Sequence, residues 1–116
     1  MFEIEFYSLP NGRKPVEDFM DSLPEKMRSK AIDSIKILRQ YGNQLREPYS
    51  KPVGDGILEL RIKFASDISR IFYFFFSGNK IILTNGYIKK TPKTPSGEIK
   101  LAKKYKADYE RRNQHG

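Results

Sequence analysis

The residues whose types and spacing could do chemistry gather in one part of the chain. Arg61 sits in Leu58-Glu-Leu-Arg-Ile-Lys-Phe64, Arg70 in Ile68-Ser-Arg-Ile-Phe-Tyr-Phe-Phe-Phe76, and Tyr87, Lys89 and Lys90 close the run that starts at Lys80. Guanidinium groups grip phosphate through paired, charge-assisted hydrogen bonds. A lysine crowded by other cations loses its proton more readily, so Lys89 or Lys90 could serve as a general base or could protonate a leaving oxygen. Tyr87 could hydrogen-bond a phosphate or stack a base. These roles require the groups to lie together. The plainer reading has Arg61 paired with Glu59 or with a helix carboxylate, and Arg70 reaching to solvent along its own stem.

Strand periodicity decides whether they can meet. Leu58, Leu60, Ile62 and Phe64 alternate with Glu59, Arg61 and Lys63, the period of a strand with one buried face. The run around Arg70 is apolar on both sides, as in a central strand. Ser77-Gly78-Asn79-Lys80 reads as a tight hairpin with Gly78-Asn79 at its centre. That register puts Phe76 opposite Ile81, Phe74 opposite Leu83, Phe72 opposite Asn85 and Arg70 opposite Tyr87. Around Ala65-Ser66-Asp67, a loop of even length sets Arg61 opposite Arg70, and an odd one sends them to different faces; the even loop is expected. Like charges facing each other on a sheet repel, so a row from Arg61 through Arg70 to Tyr87 and the lysines is reasonable where an anion lies across it.

The 116 residues suit one domain, and 38% hydrophobic content can build a core. The net charge of +8 points to a polyanionic partner, nucleic acid or an acidic protein. The chain has no cysteine, and its one histidine is His115, near an end where chains usually fray. Thiolate and multi-histidine metal sites and histidine acid-base chemistry are therefore excluded, and no metal or cofactor is expected. No run is long enough to span a membrane. Met-Phe-Glu-Ile-Glu lacks the order of an export leader, so a cytoplasmic location follows as the expectation.

Taken in order, Phe2 to Tyr7 alternates as a strand with Phe2, Ile4 and Phe6 inward. Pro15 opens a short helix with Val16, Phe19, Met20 and Leu23 on its apolar side. Its acidic face, Glu17, Asp18 and Asp21, reads as solvated surface. Ser22-Leu-Pro-Glu25 has the form of a capping box for a second helix, with Met27, Ala31, Ile35 and Leu38 inward and a stop at Tyr41-Gly42. Residues 43 to 56, with Pro48, Pro52, Gly54 and Gly56, read as a long loop, in which Arg46, Tyr49 and Lys51 suit phosphate and base contacts. Thr94-Pro95 can cap a last helix with Leu101, Ala102, Tyr105 and Tyr109 on one stripe. Lys100, Lys103 and Lys104 form another, which suits RNA, an acidic antagonist or plain solubility. With Lys63 and Lys93 they complete the candidate RNA-binding set. The domain is expected over 1–112, with 113–116 as a disordered tail.

The order strand, two helices, three-stranded antiparallel meander, helix, an α+β arrangement, resembles the RelE/HigB-like toxins of type II toxin-antitoxin modules in the wider RelE/ParE superfamily. The likeness is strongest to the phage-derived HigB-like branch. It is carried by Leu58-Glu-Leu-Arg61, Ser69-Arg-Ile-Phe-Tyr73, Gly86-Tyr-Ile-Lys-Lys90 and Thr91-Pro-Lys-Thr-Pro95, and it covers nearly the whole chain. The resemblance implies a RelE-like fold and a ribosome-dependent messenger RNA endoribonuclease that inhibits translation. Cleavage would proceed by attack of the 2′-hydroxyl on the adjacent phosphate, and a cognate antitoxin, a small helix-turn-helix protein encoded alongside, would block it. Arg61 and Arg70 match strand positions that hold basic catalytic residues in RelE-type members, and Lys89 and Lys90 match the basic pair ending the last strand. The chain departs from that pattern where a catalytic tyrosine is expected, since Ser96 stands near that place. Two other functions fit the same residues: a ParE-like inhibitor of DNA gyrase without enzymatic activity, and a basic nucleic-acid-binding domain without catalysis.

Overall fold

Leu60, Ile62, Ile71, Tyr73, Ile81 and Leu83 are all essentially excluded from solvent and make one face of a β-sheet the floor of the main core. The computed structural model describes residues 1–114; the expectations for His115 and the end of the tail lie outside the described residues. Five strands form the sheet: β1 (Glu3–Phe6), β2 (Ser50–Gly54), β3 (Ile57–Phe64), β4 (Asp67–Phe76) and β5 (Lys80–Ile88). They lie in the order β1-β5-β4-β3-β2, with β1 parallel to β5 and every other pair antiparallel. The helices are α1 (Pro15–Asp21), α2 (Glu25–Tyr41) and α3 (Ser96–Asn113). No helix among the described residues is long and apolar enough to cross a membrane.

The expected meander is present as β3, β4 and β5, but as the middle of a five-stranded mixed sheet. The first strand joins it beside β5, and the expected loop from 43 to 56 contains a strand, β2, paired to β3. Pro52 obscured that strand, because proline cannot donate to a ladder. It is tolerated here because β2 is an edge, with an irregular step between Pro52 and Gly54.

Helices cover both faces. Val16, Met20, Leu23, Met27, Ala31 and Leu38 of the α1–α2 segment fill the main core, and Phe2, Ile4 and Phe6 pack against it as their alternation predicts. On the opposite face α3 seats Ala102 against Ile57, Phe72 and Tyr87, and Tyr109 against Phe74 and Ile82. The two expected caps are absent. Pro24 and Pro95 occupy the N-cap positions of α2 and α3, and neither makes a side-chain cap. Ser22 instead donates its hydroxyl to the Phe19 carbonyl at 2.6 Å. The end of α1 is held by Arg28, whose guanidinium donates to the carbonyls of Met20 (3.0 Å), Asp21 (3.1 Å) and Leu23 (2.9 Å).

α2 stops where the spacing predicts. Gly42 has φ of +52°, a conformation L-residues avoid, and a Cβ there would stand 2.0 Å from the Phe2 ring. Gly42→Ala should therefore lower stability by about 1–3 kcal/mol. Urea unfolding checks this, with a lower midpoint and an unchanged slope expected.

Candidate functional site

The site is built on the α3 side of β3, β4 and β5, where α3 leaves the β3 end uncovered. Asp67 pairs with Phe64, so the β3–β4 loop is Ala65-Ser66, an even loop, and Arg61 lies directly opposite Arg70. Arg70 lies opposite Tyr87. The route to that second pairing differs from expectation. Phe76 faces Lys80 and Phe74 faces Ile82, because the turn is one residue longer than the tight hairpin, with Ser77 and Gly78 both at positive φ. A β-bulge on β5 then sets Thr84 and Asn85 against the single residue Phe72, between the Ile71–Gly86 and Tyr73–Leu83 pairs. The extra turn residue and the bulge cancel, so the register beyond the bulge is the expected one.

Between the arginines sits Glu59, whose role the alternation pattern did not reveal. Its side chain is 2% exposed, against 8% for Arg70 and 26% for Arg61. Its Oε1 lies 3.5 Å from Arg61 Nε and 3.6 Å from Arg70 Nε, within ion-pair range but longer than good hydrogen bonds. Glu59 Oε2, both Nε groups and the Tyr87 hydroxyl are buried and make no hydrogen bond among the described residues. Burial of unpaired polar atoms is costly, and three of these four belong to the one Glu59–Arg61–Arg70 cluster. One carboxylate shared between two guanidinium groups leaves the cluster net positive. The alternative pairing of Arg61 with Glu59 is thus real, yet it does not neutralise the row. Arg70 is buried rather than extended to solvent.

The electrostatics follow. Burial weakens the hold of Arg70 on its proton, Glu59 opposes this, and Arg61 adds to it, although an arginine stays charged under all ordinary conditions. Lys89 follows β5, its backbone N–H donating to the Ile68 carbonyl at 2.8 Å. Its ammonium is pushed below the usual lysine range by burial first and then by Arg70, with smaller contributions from Arg61 and Lys51 and Glu59 pulling the other way. Burial pushes the Tyr87 phenol up, so it keeps its proton and remains a donor.

Other candidates divide. Tyr49 and Lys63 line a cleft of about 550 Å³ together with Arg61 and Arg70, and Lys51 pairs with Glu59 across β2 and β3. Lys90 and Lys93 are exposed in the connector after β5. Arg46 is turned into its own loop, donating to the carbonyls of Asn43 at 2.7 Å and Leu45 at 3.3 Å. Lys100 is exposed on α3, Lys103 pairs with Asp55 at 2.9 Å, and Lys104 lines a different groove, with Tyr7 and Asp108. Asn85 was also missed. Its amide donates to the Glu98 backbone carbonyl at 3.2 Å and to the Glu98 carboxylate at 3.3 Å, tying the bulge to the first turn of α3.

The family model for phage-derived Gp49-like proteins (DUF891) matches residues 18–107. The chain belongs to that family. Among curated proteins the Gp49-like chain has no match. The matched segment contains Glu59, Arg61, Arg70, Tyr87, Lys89 and Lys90.

Among the described residues Glu59 is the one carboxylate paired with both guanidiniums, so its removal should expose their mutual repulsion. Glu59→Gln should destabilise the Gp49-like fold by roughly 3 kcal/mol or more. Added sulfate should restore much of the loss, because an anion that binds only the folded state stabilises it by mass action. Thermal unfolding of the variant and the parent against sulfate concentration measures both effects; equal responses would remove Glu59 from its bridging role.

Proposed function

We propose that this Gp49-like protein is the toxin of a type II toxin-antitoxin pair and acts as a ribosome-dependent messenger RNA endoribonuclease of the RelE/HigB kind, restrained by a cognate antitoxin. The observation that carries the reading is the direct pairing of Arg61 with Arg70, with Lys89 close enough for both guanidiniums to lower its pKa. Membership in the phage-derived family agrees with it.

Arg61 and Arg70 would hold the scissile phosphate and the charge that develops on it. They are preorganised on strands, so little rearrangement is needed at the moment of reaction. The 2′ oxygen forms a bond to phosphorus, and its proton passes to neutral Lys89. The bond from phosphorus to the 5′ oxygen breaks, and that oxygen takes a proton from solvent. The products are a 2′,3′-cyclic phosphate and a 5′-hydroxyl. Tyr87, protonated, would donate to a phosphoryl oxygen.

A second reading has its own observation. Glu59 between the arginines cuts their charge, which suits a ParE-like binder of gyrase better than a phosphate grip. Expression that stalls replication while messenger stays intact would favour that reading.

Expressed without its antitoxin, the protein should arrest growth and cut translated messenger. Arg61→Ala should slow cleavage by roughly 100-fold or more and leave folding intact, and Arg70→Lys should also lose most activity because the bidentate fork is gone. Full toxicity and cleavage in both variants would sink the assignment.

The pH dependence has a definite sign. The reactive lysine is the unprotonated form, and its pKa is depressed, so single-turnover cleavage should rise with pH and level off below the ordinary lysine pKa. Lys89→Arg should abolish that ascending limb. A profile unchanged by Lys89→Arg would assign the proton transfer elsewhere.

A further inference from the structure

The cleft beside the arginine pair is larger than a phosphate requires. Its volume of about 550 Å³ falls in the ~300–1,000 Å³ range of small-molecule sites. Away from Arg61 and Arg70 its walls are mixed: Ile37 of α2, Pro48, Tyr49, Ala65 and Ile68 give apolar surface, and Lys30, Asp33, Ser34 and Lys63 give polar groups. Ile37 is 40% exposed and Tyr49 55% exposed, apolar surface that the packing of the fold does not use. Both stand on the same cleft. On α2, Asp33 and Ser34 lie one turn before Ile37 and line the same space. Asp33 is the only carboxylate among these lining residues, and it makes no ion pair among the described residues.

We infer that this cleft is a nucleobase subsite that takes guanine, the base of a nucleotide whose phosphate lies on Arg61 and Arg70. The inference rests on the reading of those arginines as phosphate ligands. A base has two flat apolar faces and a polar edge, and the cleft offers matching parts: an exposed aromatic ring for stacking, aliphatic surface, lysine donors in Lys30 and Lys63 that suit carbonyl oxygens of any base, and one carboxylate, Asp33. Asp33 selects the base. A carboxylate has only acceptors, and guanine presents two adjacent donors, N1–H and the 2-amino group, that a carboxylate can accept together. Adenine and cytosine each place an acceptor beside the amino donor. Uracil flanks its one N–H with carbonyl oxygens that a carboxylate repels. Selectivity thus comes from an unfavourable contact with the wrong bases as well as a favourable one with the right base.

Titration calorimetry at low salt tests this, using guanosine, adenosine, cytidine and uridine monophosphates, with inorganic phosphate as the control for the arginines alone. The guanosine nucleotide should bind on the order of tenfold tighter than phosphate. Tyr49→Ala should bring it down to the affinity of phosphate, and Asp33→Asn should erase its advantage over the adenosine nucleotide. Circular dichroism confirms that both surface variants fold. Four nucleotides that all bind like phosphate, or a guanine preference that survives Asp33→Asn, would overturn the subsite. Binding is read without cleavage, so the two readings separate. Guanosine monophosphate held through Tyr49 and Asp33 by a protein that cuts no messenger keeps the subsite and overturns the nuclease. Cleavage by a protein with no base preference does the reverse.

Discussion

The constraint on which this structure turns is the sharing of the Glu59 carboxylate between two guanidiniums on neighbouring strands. Two cations face each other across β3 and β4, one of them almost wholly removed from water. Alone they would repel, and Arg70 would be a buried charge with no partner, a situation that costs several kcal/mol. Glu59 lies on the same face of β3 two residues before Arg61 and directly opposite Phe72, so its side chain can reach both. It satisfies them incompletely. Its second oxygen and both Nε groups stay without hydrogen bonds among the described residues. The arrangement is stable enough to fold and still unsaturated, as a site for an exchangeable anion should be.

How much of this the sequence disclosed depends on which physical signal carried it. Period-two alternation exposed β3, but it left the parity of the β3–β4 loop open; the even loop that was expected, with Arg61 opposite Arg70, is the one the fold adopts. The Arg70–Tyr87 pairing was also reached, but through two unseen features that offset each other. Nothing in Ser77-Gly78-Asn79 separates a two-residue turn from a three-residue one by composition alone. The bulge at Thr84 and Asn85 is followed directly by Gly86, a residue that within a strand can mark a bulge, but glycine alone does not fix its place; there Asn85 is tied to α3, a contact between parts of the chain that periodicity cannot relate.

Other features were hidden because local signals pointed the wrong way. Pro52 argues against a strand, yet β2 forms on an edge. Ser22 and Glu25 have the spacing of a capping box, yet Pro24 takes the N-cap position of α2 and the serine hydroxyl bonds back into α1. Glu59 looked like an ordinary outward residue of a half-buried strand. Its 2% exposure arises only because the same face carries Arg70 and Phe72 from β4 and is then partly roofed by α3. Burial of that face is a tertiary property, so the pairing of Glu59 with Arg61 could be read from its own strand, but its burial and its second partner, Arg70, could not.

The placement of the charged groups also says which parts of the site are rigid. Glu59, Arg61, Arg70 and Tyr87 stand on paired strands, and such residues are held more closely than residues on loops. Lys89 lies just past the end of β5, and Lys90 and Lys93 follow in the open connector. A polyanion laid over this face would meet a fixed grip at one end and adaptable cations at the other. On the proposed reading, the fixed part would set where a phosphate sits, and the adaptable part would handle its protons. Within a common fold, then, Arg70 should be the harder feature to alter, because it is the more deeply buried partner of Glu59, whereas loss of Arg61 leaves Glu59 still paired with Arg70. The lysines can change with little effect on folding, so it is in the connector that chemistry on this scaffold can diverge.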